Sequence, residues 1–352
     1  MESISEPPHS NRGVVTDSKT ELTALLDYIR VSFKTHDVDL IIESVLHLKK
    51  EYMLEKEYGM YGYIGTFELD NIKVYYSAPD DNRGILIEMS GQGCRQFEAF
   101  LKVRRKTWFN FFNDCDSLKG KYTRFDLAID DFKTRLSIPA LLKKAQKGEC
   151  ISRFDVSDFN GGIDLNTGEQ RGTTMYFGSK KSELYMCFYQ KNYEQAKKLK
   201  IHVEDIGLWN RYEIRMKNDR AQEFVKNVTK QKNMNEIGLQ VIHNYIRFTD
   251  SEKGVKKENW KVNKKWQNFI GDIEKISLYT KPSDDFFQKS KRWLAHSAAP
   301  TMRMVLEGDK ILGTSDLSDM VVNAEMSKKQ EKMLEVMLMD VSDLVIKESE
   351  GY

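Results

Sequence analysis

The spacing of apolar residues changes period repeatedly between residues 20 and 230, and each change marks an element. LDYIRVSF (26–33) is rich in β-branched and aromatic residues and predicts a strand. VDLIIESVLHLKKEYM (38–53) repeats its apolar positions at helical spacing, with Thr35 or Asp37 as the cap. Three strands are predicted next: YGYIGTFEL (61–69), NIKVYYSA (71–78) after the Asp70-Asn71 turn, and GILIEMS (84–90) after the loop around Pro79. Gly91 and Gly93 then lead into one helix, CRQFEAFLKVRRKTWFNFF (94–112).

The same order returns. KYTRFDLAIDDF (121–132) alternates as a strand, and SIPALLKKAQKG (137–148) is a helix with Ser137 as N-cap, Pro139 in its first turn and Gly148 as its stop. A polar loop precedes TTMYFGS (173–179), ELYMCFYQK (183–191) and LWNRYEIRMK (208–217), again three strands. NDRAQEFVKNV (218–228) closes the run as a helix capped by Asn218 or Asp219. The fold class expected is α+β, with β-α-β-β-β-α occurring twice as a duplicated unit on an antiparallel sheet. Beyond residue 230, NEIGLQVIHNYIRFT, WQNFIGDIEKISLY, DDFFQKSKRWLAHS and SKKQEKMLEVMLMDVSDLVI read as amphipathic helices, with Pro282 and Pro300 between them. Three regions follow: a loose arm over 1–18, a catalytic domain over 19–230 and a helical C-terminal region over 231–352.

Composition narrows the class. At 352 residues, with 40% hydrophobic and 11% aromatic positions, the chain can bury a large core, which excludes wholesale disorder. No run approaches the ~18 apolar residues of a membrane span, and no basic-then-apolar leader opens the chain. Cys94, Cys115, Cys150 and Cys187 are scattered without a C-x-x-C pair and read as reduced thiols, so a cytoplasmic protein is expected. The net charge of +2 hides an asymmetry. Lys226–Trp266 carries ten Lys/Arg against four Asp/Glu, interleaved with Tyr245, Phe248, Trp260 and Trp266, whereas the chain from Ser315 onward has nine acidic residues against four basic. The basic stretch, with Lys256, Lys257, Lys264 and Lys265, suits a nucleic-acid backbone; it equally suits a solvated helical face over core aromatics.

Alternation sets the candidate chemistry, because residues two apart on a strand share a face. Arg124, Asp126, Ala128 and Asp130 share one; Tyr185, Cys187, Tyr189 and Lys191 another; Arg211, Glu213 and Arg215 a third. If these strands join one sheet, carboxylates, cations and a tyrosine gather on one side. Such a set suits phosphodiester chemistry. Carboxylates can hold Mg²⁺ or Mn²⁺, cations can stabilise charge at phosphorus, and a tyrosine drawn toward its anion can attack it. Arg171, Lys180 and Lys181 flank the middle strand and could follow a DNA backbone, although turn lysines are commonplace. The S-G-Q-G turn could cradle a phosphate or serve as a tight strand-to-helix corner.

SGQGCRQFE (90–98), TRFDLAIDD (123–131), GTTMYFGSKKSELYMCFYQKNYEQ (172–195) and NRYEIRMK (210–217) together resemble the motif series of the Rep_trans or MobT-type family. That family comprises rolling-circle replication initiators of Gram-positive plasmids and the conjugative relaxases, including those of integrative and conjugative elements, built on the same catalytic domain. The resemblance implies nicking of one DNA strand at an origin, a covalent 5′-phosphotyrosine intermediate and a divalent metal, Mg²⁺ or Mn²⁺. It also implies origin-of-transfer DNA, the host's replicative helicase and a conjugative coupling protein as partners. Carried over position by position, it puts the nucleophile at Tyr189, with Tyr193 as rival. The motif lysine is Lys191, the strand residues are Arg124, Asp126 and Asp130, and the R-x-E pair is Arg211 and Glu213. Catalytic roles thus fall to Tyr189, Lys191 and Arg211, and metal ligation to Asp126, Asp130 and Glu213, unless Asp126 instead pairs with Arg124 or Arg211. His9, His36, His47, His202, His243 and His296 never fall as H-x-H, so the two-histidine clamp of better-known relaxases is absent. A plasmid replication initiator with the same chemistry and a non-enzymatic origin-binding protein are the rival readings.

Overall fold

The computed structural model describes residues 22–271, 276–278, 290–291, 293–337, 339 and 341–346. The expected arm over 1–18 lies outside them. Among the described residues the chain divides into two compact units, one within Met1–Ile29 and Tyr122–Lys281, the other within Arg30–Lys121 and Pro282–Tyr352. Their strands are β1 (Leu22–Phe33), β2 (Leu54–Lys56), β3 (Gly65–Leu69), β4 (Ile72–Tyr76), β5 (Ile85–Ser90), β6 (Lys121–Asp131), β7 (Cys150–Ser152), β8 (Ser157–Ile163), β9 (Gln170–Phe177), β10 (Leu184–Gln190), β11 (Asn210–Lys217), β12 (Ile246–Asp250), β13 (Lys261–Val262) and β14 (Ile276–Leu278).

In the first unit the strands lie in the order β1-β6-β11-β10-β9-β8, β1 entering with its Leu22–Ile29 portion. The pairs β6–β11, β11–β10, β10–β9 and β9–β8 are all antiparallel. One sheet face is apolar. Phe125, Leu127, Ile129, Met186, Phe188, Tyr212 and Ile214 point to it and are fully buried. Helix Met234–Tyr245 packs there with Gly238 against Leu127, where an added Cβ would lie 2.4 Å from Leu127 Cδ2. Helix Lys264–Gly271 covers the same face, its Trp266 and Phe269 rings meeting Phe188 and Tyr212. Each fully buried ring or aliphatic side chain contributes roughly 1.5–3 kcal/mol of transfer free energy, so this face is the main stabilising layer of the unit.

In the second unit β2-β3-β4-β5 form an antiparallel run. The helix expected over 38–53 is cut short. Asp37 caps it as anticipated, its Oδ1 accepting from Leu40 N at 2.9 Å. His47 then turns left-handed at φ 53° and Leu48 bridges to Val345 instead of continuing the helix. The single helix expected over 94–112 is two, Gln92–Val103 and Trp108–Ser117. Arg105 breaks them at φ 56°, and Thr107 starts the second with its N–H donating to Asn110 Oδ1. The S-G-Q-G turn has a packing reason: a Cβ on Gly93 would lie 2.3 Å from the Asn71 carbonyl oxygen.

Other departures have local causes. The polar loop before β9 contains β7 and β8, the latter exposed along its whole length and therefore without apolar alternation. The helix Asn218–Gln231 has Lys217 at its N-cap position, with neither Asn218 nor Asp219 capping, because Asn218 itself takes a left-handed φ of 47°. The helix expected over 235–249 ends at Tyr245, and Ile246–Asp250 pairs as a strand with β7 and β13. Ile276–Leu278 is likewise a strand, parallel to β1, and much of 284–297 lies outside the described residues. The last amphipathic run, 327–346, holds helices Lys328–Met337 and Val341–Leu344. No helix of the described residues is long and apolar enough to cross a membrane.

Candidate active site

Opposite the apolar layer, the register of β6, β11 and β10 brings the polar faces of the three motif strands together. Tyr189 stands across from Arg211, and Arg211 across from Asp130. One step along, Cys187 opposes Glu213 and Glu213 opposes Ala128; a further step aligns Tyr185, Arg215 and Asp126. The alternation read from the sequence therefore assembles as a single surface.

Tyr189 is the centre of a buried hydrogen-bond chain. Its hydroxyl donates to Glu213 Oε1 at 2.6 Å and accepts from Lys191 Nζ at 3.3 Å, while Lys191 also reaches Glu194 at 2.5 Å. The other Glu213 oxygen accepts from Arg215 at 2.6 and 3.0 Å. Asp130 receives Arg211 on both oxygens, at 2.6 and 2.7 Å, and the Trp209 indole N–H at 2.7 Å. Arg211 also donates to Asp27 at 3.4 Å. Asp126 is held by Arg124 at 3.1 and 2.6 Å, and the Arg124 guanidinium lies 3.8 Å from the centre of the Tyr28 ring.

Electrostatics keep the tyrosine protonated. Burial, and then the Glu213 charge, raise Tyr189 far above the usual phenol range, and Arg211 opposes them only in part. This reverses the expectation of a tyrosine drawn toward its anion: at rest the proton stays on oxygen, hydrogen-bonded to a carboxylate. Burial and Glu213 also push the Cys187 thiol up to about 12. Burial tends to lower Arg215 and Arg211, but Glu213 and Asp130 more than offset it and hold both as cations. Burial pushes Asp126 up to about 6 against the pull of Arg124.

The three carboxylates share a face without sharing a cation position. Each is engaged by an arginine, Asp126 by Arg124, Asp130 by Arg211 and Glu213 by Arg215. Among the described residues no group of three or more His, Cys, Asp or Glu stands close enough to hold a metal ion. As arranged, this donor set does not fit a divalent cation. The open alternative for Asp126 resolves to pairing with Arg124.

Tyr193 does not continue the strand. β10 ends at Gln190, the N–H groups of Lys191 and Asn192 donate to the Trp209 carbonyl, and Tyr193 lies in the first turn of helix Lys191–Leu199, packed over Gly172 of β9. No N-cap residue announced that helix in the sequence. Arg171, Lys180 and Lys181 are exposed on β9 and the turn after it, with Lys180 Nζ 5.7 Å from the Tyr176 ring centre. Lys256, Lys257, Lys264 and Lys265 are exposed too, but Lys264 and Lys265 belong to the helix on the apolar face. They are not gathered with Tyr189. Sequence reasoning missed Asp27, Tyr28, Glu194 and Trp209. The spacing of Lys191 and Glu194 by three was a usable helix-pair signal, whereas Asp27 meets Arg211 only through the fold.

Comparison with known proteins places this geometry. The family profile "Rolling Circle replication initiation protein N-terminal domain" matches residues 23–114, and that of the Rep_trans "Replication initiation factor" family matches residues 120–321, over half the chain. The chain belongs to the Rep_trans family. The Rep_trans match covers Tyr189, Lys191, Glu194, Glu213 and Arg215. The chain is 60% identical to a Bacillus subtilis (strain 168) protein described as "Putative DNA relaxase NicK", over 98% of this chain and 100% of that one. It also resembles the solved structure of a rolling circle replication initiator protein from Geobacillus stearothermophilus, at 29% identity and a TM-score of 0.64, over 74% of this chain and 99% of that one.

Proposed function

We propose that this Rep_trans protein is a DNA relaxase that nicks one strand at an origin of transfer and reseals it through a tyrosine–5′-phosphate intermediate. The carrying observation is the 2.6 Å hydrogen bond from the Tyr189 hydroxyl to Glu213, with Lys191 on the same oxygen. Attack of Tyr189 Oη on phosphorus forms the O–P bond and passes the phenolic proton to Glu213. The bond from phosphorus to the 3′ oxygen breaks, and that oxygen leaves with a proton from solvent. Sealing runs the steps backward, Glu213 returning the proton to the departing tyrosine. General acid–base help of this kind contributes roughly 10²–10⁴ in rate. Lys191, the cation hydrogen-bonded to the reacting oxygen, stabilises negative charge there, and Arg211 lends positive potential from the neighbouring strand. Arg171, Lys180 and Lys181 are the exposed cations in this reading that meet the DNA backbone near the site. The helicase and the coupling protein act on the nicked product.

Mg²⁺ or Mn²⁺ dependence, which the family resemblance implies, enters no step here. Supercoiled DNA from the region flanking the gene, incubated with the protein and Mg²⁺, Mn²⁺ or a chelator, tests the reading. A nick with a denaturant-stable protein–DNA adduct, mapped by peptide analysis to Tyr189, is expected. Binding without an adduct in any of the three conditions would favour a non-enzymatic origin-binding protein.

The likeness to the Geobacillus initiator supports a second reading with the same chemistry, initiation of rolling-circle replication. A plasmid carrying the mapped nick site separates the two: autonomous replication favours the initiator, transfer to recipient cells the relaxase.

A further inference from the structure

The polar face of the first unit carries an aromatic pair that the nicking chemistry leaves unused. Tyr176 of β9 and Tyr185 of β10 stack with ring centres 5.9 Å apart and planes within 14°. They flank Cys187 and are continuous through it with Tyr189, a buried apolar cluster amid charged groups that only Tyr176 opens toward solvent. Tyr185 is buried at 4% exposure, but Tyr176 in front of it is only half-buried. Their counterparts on the other sheet face, Phe177 and Phe188, are sealed at 1% and 0%. A cation stands near each ring of the pair: Lys180 Nζ 5.7 Å from the Tyr176 centre and Arg215 5.8 Å from that of Tyr185.

We propose that the Tyr176–Tyr185 pair is a stacking seat for a base of the single DNA strand whose phosphate meets Tyr189, an inference that rests on the nicking reading above. A half-open ring backed by a second ring is already fixed in orientation, so a base can stack on it with little further ordering cost. Base–aromatic stacking tolerates any sequence because every base has a π-face, and flanking cations match the phosphates on either side. The spacing suits this role. Cys187, opposite Tyr176, is two residues from Tyr189, and Tyr185 is four, so the seat lies roughly 7–13 Å along the strand from the nucleophile. That is a few nucleotides away. Arg215 also ties the seat to the chemistry, because it approaches Tyr185 while binding the carboxylate that receives the Tyr189 hydrogen bond.

The test compares the affinity of the full-length protein for oligo(dT) and for an abasic oligomer of equal length and charge. The wild type should prefer oligo(dT) roughly tenfold or more. Tyr176→Leu, which keeps apolar bulk and loses the ring, should erase most of that preference, and Tyr176→Phe should keep it. A wild-type preference retained in Tyr176→Leu, or lost equally in Tyr176→Phe, overturns the seat, as does a wild type that binds both oligomers alike. Adduct formation on supercoiled DNA is followed in parallel. An adduct without base preference sinks the seat alone; no adduct sinks the nicking reading, and the oligomer comparison still decides whether bases stack on Tyr176.

Discussion

Arg211 grips Asp130 with two nitrogens at 2.6 and 2.7 Å across neighbouring strands, and both side chains are buried. Removing one partner of such a pair leaves the other charge uncompensated. Asp130→Asn should therefore cost about 3 kcal/mol in denaturant unfolding, the low end for a broken buried pair, since Asp27 still reaches Arg211. A loss under about 1 kcal/mol would mean that Asp27 alone suffices to hold the guanidinium.

Tyr189→Phe should abolish nicking and adduct formation while DNA binding stays near wild type, with about 1–3 kcal/mol of stability lost because Glu213 Oε1 gives up a buried hydrogen bond. Tyr193→Phe should remain active, its ring lying over Gly172 outside the Glu213 hydrogen bond. The reverse pattern would move the nucleophile to the helix, and two active variants would remove the tyrosine mechanism.

Glu213→Gln keeps the shape and an acceptor for Tyr189 but cannot take up its proton. Nicking should fall about 100-fold or more, with origin binding unchanged or slightly tighter for the loss of a negative charge. Single-turnover rates measure this, and a rate at wild-type level would transfer the proton acceptor's role elsewhere.

Asp126 gives a pH signature. Its folded pKa, about 6, lies above its unfolded value, so its contribution is fully present below ~4 and is lost as pH rises through about 6. Compared with Asp126→Asn, the wild type should gain about 2 kcal/mol of relative stability on going from pH 7 to pH 4. A constant difference across that range would place the Asp126 pKa near its ordinary value.

Lys256, Lys257, Lys264 and Lys265 changed together to Gln should weaken origin and non-origin DNA alike. The slope of log K against log salt should flatten by about 0.7–0.9 per lost phosphate contact. Lys264 and Lys265 sit on the layer over the apolar face, so KM should rise while kcat holds. An unchanged salt slope would make all four ordinary surface charges.

Strand identity and facing were legible because period-two alternation is a local property: Arg124 to Asp130, Tyr185 to Tyr189 and Arg211 to Arg215 lie as the sequence orders them. What was not legible was pairwise and long-range. Asp126 meets Arg124 and Glu213 meets Arg215 two residues away on their own strands, but Arg211 meets Asp130 only through strand register, and it meets Asp27 across 184 positions of chain. The missed β8 has no apolar face to betray it. The helix expected through Thr249 stops at Tyr245 because Ile246 and Phe248 are better used as strand residues against β7. The cut at His47 similarly depends on Val345 arriving from the far end of the chain.

β10 is flanked on both sides, by β9 and by β11, with Tyr189 registered against Thr174 and Arg211. A DNA end joined to that tyrosine would be anchored in the interior of a sheet instead of on a loop. Tension on the attached strand, as it is drawn away, would be divided between two ladders of backbone hydrogen bonds that must yield together. The same feature that positions the nucleophile for attack thus makes it a mechanical mooring, able to stay shut while its cargo is pulled.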